Sequence, residues 1–253
     1  EQESKISPEY LTGLKLLLNE QADKAINLFS EIVQFDEETI ETHLALGVLF
    51  RKQGKIDQAI KLHENILSKK ELNEDHYYQA LEELAEDYYS AGLYDNSEEI
   101  LKKLIDVKEH QTSSLKKLMQ IYEYTSDWDQ ALSKMDILNE IDPSNEYKNN
   151  IPHYLCQISE RYMMENNLEN AELFIDKAKA INSNSSRILF TCVQIALKKG
   201  ELIKALNIYK NLSAVSELGH QNLLYDLLIT AKEYDYTNQV NEMIQEICNR
   251  DPK

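Results

Sequence analysis

The stretch LALGVLFRKQGKIDQAIKLHENIL, residues Leu44 to Leu67, contains two short apolar patterns of helical period, separated by KQGK. Large apolar residues recur every three or four positions on each side of this break, which predicts two amphipathic helices joined by a tight turn. Each predicted helix also carries one small residue where a large one would normally pack, Gly47 in the first and Ala59 in the second. Such residues indicate that the two helices pack closely against each other.

The same pattern returns along the chain. The small residue of the second helix recurs at intervals of 34, 38, 34, 40, 34 and 35 residues, at Ala25, Ala59, Ser97, Ala131, Ala171, Ala205 and, less clearly, Val240. The first helix carries its small residue at Gly13, Gly47 and Ala85. A helix-turn-helix unit with a 34-residue period is the signature of the tetratricopeptide repeat. We therefore predict an all-α protein, an α-solenoid of about seven such repeats wound into a right-handed superhelix.

The repeats are predicted to form one domain that spans residues 1–253. The two longer intervals indicate polar insertions between units, and the insertion at 142–152 is the candidate for a soft hinge. The predicted units lie near residues 6–36, 40–70, 76–109, 112–143, 152–183, 186–214 and 219–252.

The charge of the chain restricts its partners. With 27 basic and 44 acidic residues the formal net charge is −17, which disfavours nucleic acids and anionic lipid surfaces. A basic or mixed-charge protein fits better. No segment approaches the roughly 20 apolar residues that a transmembrane helix needs, so we expect this chain by itself to be soluble.

No pattern for catalysis, cofactor binding or metal binding is found. The six histidines are scattered over different repeats, and the sequence has no glycine-rich phosphate loop, GxSxG or HExxH motif. Cys156, Cys192 and Cys248 form no CxxC pair, so we expect buried free thiols. His43 and His63 fall at packing positions, which favours hydrogen-bonded core residues over metal ligands. We predict a protein that is not an enzyme and holds no cofactor in this chain.

The first helices of the repeats are expected to line a groove that binds a protein partner. Aromatic, methionine and arginine side chains are typical of such interfaces. The groove residues predicted by projection are Tyr10, Arg51, Lys52, Tyr89, Tyr124, Met163, Met164, Phe190 and Tyr225. Repeat proteins that bind chaperone tails use a lysine and asparagine clamp, but the equivalent positions here are Tyr10, Leu14 and Ala45. A chaperone-tail adaptor is therefore disfavoured.

Five stretches together resemble the repeat domain of the lipopolysaccharide assembly protein B family. They are SPEYLTGLKLLLNEQADKAINLF, ETHLALGVLFRKQGKIDQAIKLHENIL, EDYYSAGLYDNSEEIL, LMQIYEYTSDWDQAL and SSRILFTCVQIALKKGELIKAL. The resemblance runs from about Ser7 to Leu212 and fades toward the C-terminus, where only the repeat pattern continues.

This resemblance implies a non-catalytic adaptor that regulates lipopolysaccharide biosynthesis. Members of the family have an N-terminal membrane helix, a cytoplasmic repeat domain and a rubredoxin-like zinc domain with two CxxC pairs. They present the lipid A pathway deacetylase LpxC to the membrane protease FtsH, and an inner-membrane lipopolysaccharide sensor antagonises them. Since this chain contains neither the membrane helix nor the CxxC pairs, the resemblance implies the repeat segment of a longer protein at the cytoplasmic face of the inner membrane.

Two alternatives remain open from the residues alone. One is a generic tetratricopeptide scaffold or chaperone for another cytoplasmic client. The other is an enzyme or a ligand-sensing repeat protein, which would carry a compact pocket with convergent polar groups. The sequence leaves the oligomeric state open.

Overall fold

The computed structural model describes residues 37–69, 72–144, 146–215 and 221–233, together with positions 12, 13, 15, 16, 24, 28, 238, 240–242 and 245. The chain divides into two compact units, residues 1–114 and 115–253. The candidate hinge at 142–152 lies inside the second unit. The single domain and its hinge stay predictions.

In the first unit the described residues form antiparallel helix pairs. Its helices are α1 (Glu37–Lys52), α2 (Ile56–Leu67), α3 (Glu74–Ser90), α4 (Tyr94–Leu104) and the start of α5 (Lys108–Tyr124). Helix α1 packs on α2 and α3 packs on α4. The first helices of the two pairs, α1 and α3, also contact each other. Pairs of this kind in sequence are the arrangement that the 34-residue period predicts.

The second unit continues the same alternation. Its elements after α5 are α6 (Trp128–Ile141), a 3₁₀ helix (Glu146–Asn150), α7 (Ile151–Met164), α8 (Leu168–Ile181), α9 (Ser186–Lys198), α10 (Leu202–Val215) and α11 (Gln221–Glu233). Helices α7 and α8 form one pair, and α9 and α10 form the next. The first helices α7, α9 and α11 contact one another in sequence order. The prediction of an all-α protein built from helical repeats is confirmed.

The turn inside each pair depends on one residue with a left-handed backbone. Gly54, Gly92 and Gly200 each have a φ of 75° there. Ser126 and Asn166 occupy the equivalent turns with φ of 60° and 59°. Each of these five residues lies five positions before the small residue of the second helix. The repeat therefore imposes the conformation even where the sequence lacks glycine, a conformation that asparagine tolerates better than most side chains.

Helix starts are fixed by side-chain caps in three repeats. The side chain of Asn73 accepts a hydrogen bond from the backbone N–H of His76 at 2.8 Å. Asp127 caps α6, and Asn167 caps α8 through the N–H of Asn170 at 3.2 Å. These residues satisfy backbone donors that the first turn of a helix leaves unpaired.

The core of each unit lies between and around the paired helices. The small residues of the second helices, Ala59, Ala131, Ala171 and Ala205, are fully buried. Ser159 of α7 donates a hydrogen bond to the carbonyl oxygen of Ala171 at 2.7 Å. Such a bond between a short side chain and the backbone of the partner helix requires the close approach that small residues permit.

The remaining predicted small positions fall as follows. Gly13, Ala85, Ser97 and Val240 are buried. Ser97 of α4 donates to the carbonyl oxygen of Ala85 at 2.8 Å, so the same contact forms in the first unit. Ala25 lies outside the described residues.

The insertion before α7 has local order. Asp142 accepts hydrogen bonds from the backbone N–H of Ser144 at 3.0 Å and from its hydroxyl at 2.7 Å. The 3₁₀ helix then contacts α6 and α7. In the described part of the chain, no helix combines the length and the apolar character needed to cross a bilayer.

Candidate protein-binding surface

The predicted groove residues that the structure describes lie on first helices and have different surroundings. Lys52, Tyr124, Met164 and Tyr225 are exposed, and Tyr89 and Phe190 are partly buried. Arg51 and Met163 are largely withdrawn from solvent. Tyr10 lies outside the described residues. Because α1 with α3, and α7 with α9 and α11, are adjacent in their own units, each unit presents a continuous face of first helices.

Arg51 differs from the groove prediction, because its charge is already paired. Its guanidinium donates to Glu83 Oε2 at 2.6 Å and to Asp87 Oδ1 at 2.6 Å. Its side chain is 14% exposed and that of Asp87 is 0% exposed. An arginine held by two carboxylates offers little net charge to a partner. Arg51 is thus a link between two repeats, and Lys52 is the predicted cation that faces solvent.

The Arg51 network continues inward to His63. The Nδ1 atom of His63 lies 2.5 Å from Asp87 Oδ2, and its Nε2 atom lies 3.4 Å from the carbonyl oxygen of Leu44. His63 is fully buried. The prediction that His63 is a hydrogen-bonded core residue is therefore confirmed. The network joins α1, α2 and α3 through polar side chains in an apolar surrounding.

The two units differ in charge. Residues 1–114 contain 24 acidic and 12 basic residues, whereas residues 115–253 contain 20 and 15. The first unit therefore repels acidic partners more strongly. In this unit Tyr89 packs edge-on against Tyr94, with ring centroids 5.5 Å apart, so its ring is partly engaged within its own repeat.

The second unit contains an open cavity on the face of its first helices. Its volume is about 330 Å³ and it is lined by Met163, Gln194, Leu197, Lys198, Asp226, Ile229 and Thr230. Met163 lies at the end of α7, the next three residues lie on α9 and the last three on α11. Cavities of this size are at the small end of the range for ligand sites, and this one has room for a side chain of a bound partner.

Met163 differs from the groove prediction in its degree of exposure. It is 7% exposed and packs in the core around α7 to α9, so only a small part of it reaches the cavity. Its neighbour Met164 is 82% exposed. Lys198 donates from Nζ to the carbonyl oxygen of Met163 at 3.0 Å. A lysine at this position satisfies a carbonyl at the C-terminus of α7, where the helix dipole favours positive charge.

Phe190 and Tyr225 are close in sequence to residues that line the cavity, but neither lines it. Phe190 packs against the core cluster of α9 to α11. Tyr225 is 65% exposed on α11. The sequence interpretation favoured these aromatic residues and missed Gln194 and Ile229. The residues equivalent to Gly47 in α7, α9 and α11 are Ser159, Val193 and Leu228. Gln194 and Ile229 follow this position by one residue, and Met163 and Leu197 follow it by four, so an alignment of the repeats could have found Gln194 and Ile229.

Within the described residues, no three histidine, cysteine or carboxylate side chains are close enough together to hold a metal ion. Cys156 and Cys192 are free and buried. Burial raises the pKa of the Cys156 thiol to about 11 and also raises the pKa of Cys192. Protonated, buried thiols are poor nucleophiles, so neither cysteine suits a catalytic role.

The fold is one of tetratricopeptide-type helical repeats, and the tetratricopeptide repeat family matches residues 42–76. The chain is similar to lipopolysaccharide assembly protein B of Escherichia coli K12, with 32% identity over 203 residues. It is also similar to lipopolysaccharide assembly protein B of Haemophilus influenzae, with 29% identity over 218 residues. The resemblance found in the sequence is thereby confirmed.

The alignments cover 80% and 82% of this chain but 52% and 54% of the relatives. The chain therefore spans about half the length of the curated relatives that it matches. Among solved structures it resembles the C-terminal part of a tetratricopeptide repeat-containing protein from Cytophaga hutchinsonii, with a TM-score of 0.50 and 15% identity. That likeness covers 96% of this chain and 95% of the other, and it concerns the fold alone.

Proposed function

We propose that this chain is the protein-binding part of an adaptor that controls lipopolysaccharide biosynthesis, and that it presents the deacetylase LpxC to the membrane protease FtsH. The observation that carries the proposal is the 32% identity over 203 residues with lipopolysaccharide assembly protein B. Holding a substrate beside a protease raises its local concentration there. This role needs neither a catalytic residue nor a cofactor in the repeats.

The faces of first helices support this role. Tyr124, Met164 and Tyr225 are exposed by 69%, 82% and 65%, and large aromatic and methionine side chains are enriched at protein interfaces. An inner-membrane lipopolysaccharide sensor would act by competing for such a surface. Attachment to the cytoplasmic face of the inner membrane would come from a segment of the whole protein outside the repeats.

The test is a calorimetric titration of this chain with the deacetylase from the same organism. We expect a dissociation constant in the micromolar range or tighter. Met164→Glu should weaken binding about tenfold or more, since burying a charge without a partner is costly. The matched control is Leu173→Glu, which changes a 51% exposed residue on the second helix of the same pair and should leave binding unchanged.

Two results would contradict the proposal. Absence of binding at high protein concentration would show that the repeats do not recognise the deacetylase, and a general tetratricopeptide scaffold for another client would then be favoured. Equal affinity of Met164→Glu and wild type for the deacetylase would show that this face of the second unit does not contact it.

A further inference from the structure

We infer that the cavity between α7, α9 and α11 binds an apolar side chain of an extended peptide segment that carries a lysine or arginine next to it. The inference rests on the proposed function, because it assumes that the second unit recognises proteins. The inference goes further by specifying which side chains the recognised segment carries.

The cavity has room for a large side chain, and the apolar part of its lining favours an apolar one. Its volume is about 330 Å³, and Met163, Leu197 and Ile229 supply its apolar part. Leu197 is packed against the core, whereas Ile229 is 42% exposed. A leucine or methionine inserted here would cover Ile229 and would remove apolar area from water on both partners.

The polar lining residues suit a peptide backbone beside that side chain. Gln194 and Thr230 lie on facing helices, α9 and α11, at the same cavity. The Thr230 hydroxyl donates to the carbonyl oxygen of Asp226 at 2.8 Å and keeps its acceptor lone pairs. The Gln194 amide has both donors and an acceptor. An extended segment has unpaired N–H and C=O groups that need such partners.

Two charged residues line the cavity, and only one of the two charges is engaged by a neighbouring group of the described chain. The Lys198 ammonium is directed at the Met163 carbonyl oxygen, where it balances the negative end of α7. The Asp226 side chain is exposed, and its carboxylate forms no ion pair with another described residue. Because the Lys198 ammonium is already engaged by a carbonyl oxygen, the exposed Asp226 carboxylate is the group left to pair with a charged residue of the partner. It favours a cation over an anion, and the net charge of −17 acts in the same direction.

The experiment uses nuclear magnetic resonance of this chain labelled with ¹³C at the methionine methyl groups. Met163 reports on the cavity, while Met119 and Met135 are buried elsewhere and serve as internal controls. The probes are capped nonapeptides of glycine and serine with a central Leu-Lys, Leu-Gln, Leu-Glu or Gly-Lys pair. We expect the Leu-Lys peptide to shift the Met163 signal and to bind two- to fivefold more tightly than Leu-Gln, the range of an exposed ion pair. Leu-Glu should bind more weakly than Leu-Gln.

Matched variants locate the contacts. Asp226→Asn should remove the preference for Leu-Lys over Leu-Gln, whereas Asp176→Asn, at an exposed position on α8, should retain it. Ile229→Ser should weaken all leucine peptides, whereas Ile203→Ser, at a 57% exposed position on α10, should have no effect. Binding of Gly-Lys as strongly as Leu-Lys, equal affinities for Leu-Lys and Leu-Glu, or no shift of Met163 with any peptide would overturn the inference.

The deacetylase titration separates this inference from the proposed function. If the deacetylase binds wild type but no peptide shifts Met163, the inference fails and the adaptor function stands. If Leu-Lys peptides bind as expected but the deacetylase does not bind, the cavity recognises peptides and the proposed client is wrong.

Discussion

The imidazole of His63 occupies the space that a side chain on Gly47 would need. A β-carbon built on Gly47 would overlap Nε2 and Cε1 of His63 and would lie 3.0 Å from its Cδ2. The ring has little freedom to withdraw, since Nδ1 is 2.5 Å from a carboxylate oxygen of Asp87. The glycine in the first helix of this repeat is therefore required by a buried polar side chain, rather than by backbone contact between the helices alone.

Gly47→Ala should destabilise the protein, because overpacking costs about 1–3 kcal/mol and exceeds the gain in helix propensity of roughly 1 kcal/mol. The denaturant midpoint for unfolding measures the change. In a His63→Ala background the clash is absent, so Gly47→Ala should there be stabilising by about 0.5–1 kcal/mol. The same destabilisation in both backgrounds would contradict this account of Gly47.

Within this network, substitution of Asp87 is expected to cause the largest loss of folding stability. It is fully buried and contacts both Arg51 and His63, so Asp87→Ala leaves a buried arginine partly unpaired and should cost about 3–5 kcal/mol. Glu83→Ala is the control. Its side chain is 32% exposed, so its loss should cost about 1 kcal/mol or less. Chemical denaturation of both variants tests the ranking, and equal losses would contradict it.

The sequence was sufficient to predict the helical repeats, because their period, turn glycines and small residues recur at fixed spacing. It was less informative about which first-helix residues face a partner. Arg51 and Lys52 are adjacent in sequence, but one is held by carboxylates 32 and 36 residues away and the other is exposed. Such pairings depend on how consecutive repeats stack, which a pattern within one repeat does not contain.

The small position of the first helix shows the same limit. Gly47 and Ala85 fit the pattern, but the equivalent residues in the next repeats are Met119, Ser159 and Val193, all buried. Ser159 keeps the close approach by donating a hydrogen bond across the pair. The pattern thus predicts that the side chain at this position is buried between the helices. The size of the side chain that can be accommodated depends on the residues opposite.

Two of the turns in the described part of the chain lack glycine and offer a stabilising substitution. Ser126 has a φ of 60°, a conformation that costs most non-glycine residues about 1–2 kcal/mol. Ser126→Gly should therefore raise the free energy of unfolding by about 1 kcal/mol. Asn166→Gly should gain less stability, since asparagine tolerates the left-handed backbone conformation. Gly92→Ala should lose stability although no atom crowds its β-carbon position. Thermal melting compares the three variants, and a melting temperature of Ser126→Gly equal to that of wild type would contradict the expectation.

The buried thiols are expected to be unreactive in the folded protein. Burial raises the pKa of Cys156 to about 11, so little thiolate exists at pH 8. In a Cys248→Ser background, iodoacetamide should label neither Cys156 nor Cys192 until urea is added. Ser133→Cys, at an exposed position on α6, should label at once and serves as the positive control. Prompt modification of one thiol in the native protein, measured by mass spectrometry, would contradict the burial argument.

His153 should titrate below its ordinary range. Partial desolvation lowers its pKa from the usual 6.5, and the nearby Arg187 guanidinium lowers it further, whereas Glu123 and Glu160 act in the opposite direction. Arg187 donates to His153 Nδ1 at 2.8 Å, which requires the neutral ring. Because the folded pKa lies below the unfolded one, the stabilising contribution of His153 is complete above about pH 6.5 and is lost as the pH falls through the folded pKa.

Trp128 makes this titration visible. It is the single tryptophan of the chain, and its ring centroid lies 5.5 Å from that of His153. Protonation of His153 should therefore change the tryptophan fluorescence with a midpoint below pH 6.5. Arg187→Gln should raise the midpoint without restoring it fully, since the desolvation remains. His153→Gln should abolish the transition. A midpoint at or above 6.5 in the wild type, or one that Arg187→Gln leaves unchanged, would show that the guanidinium does not control the charge of this histidine.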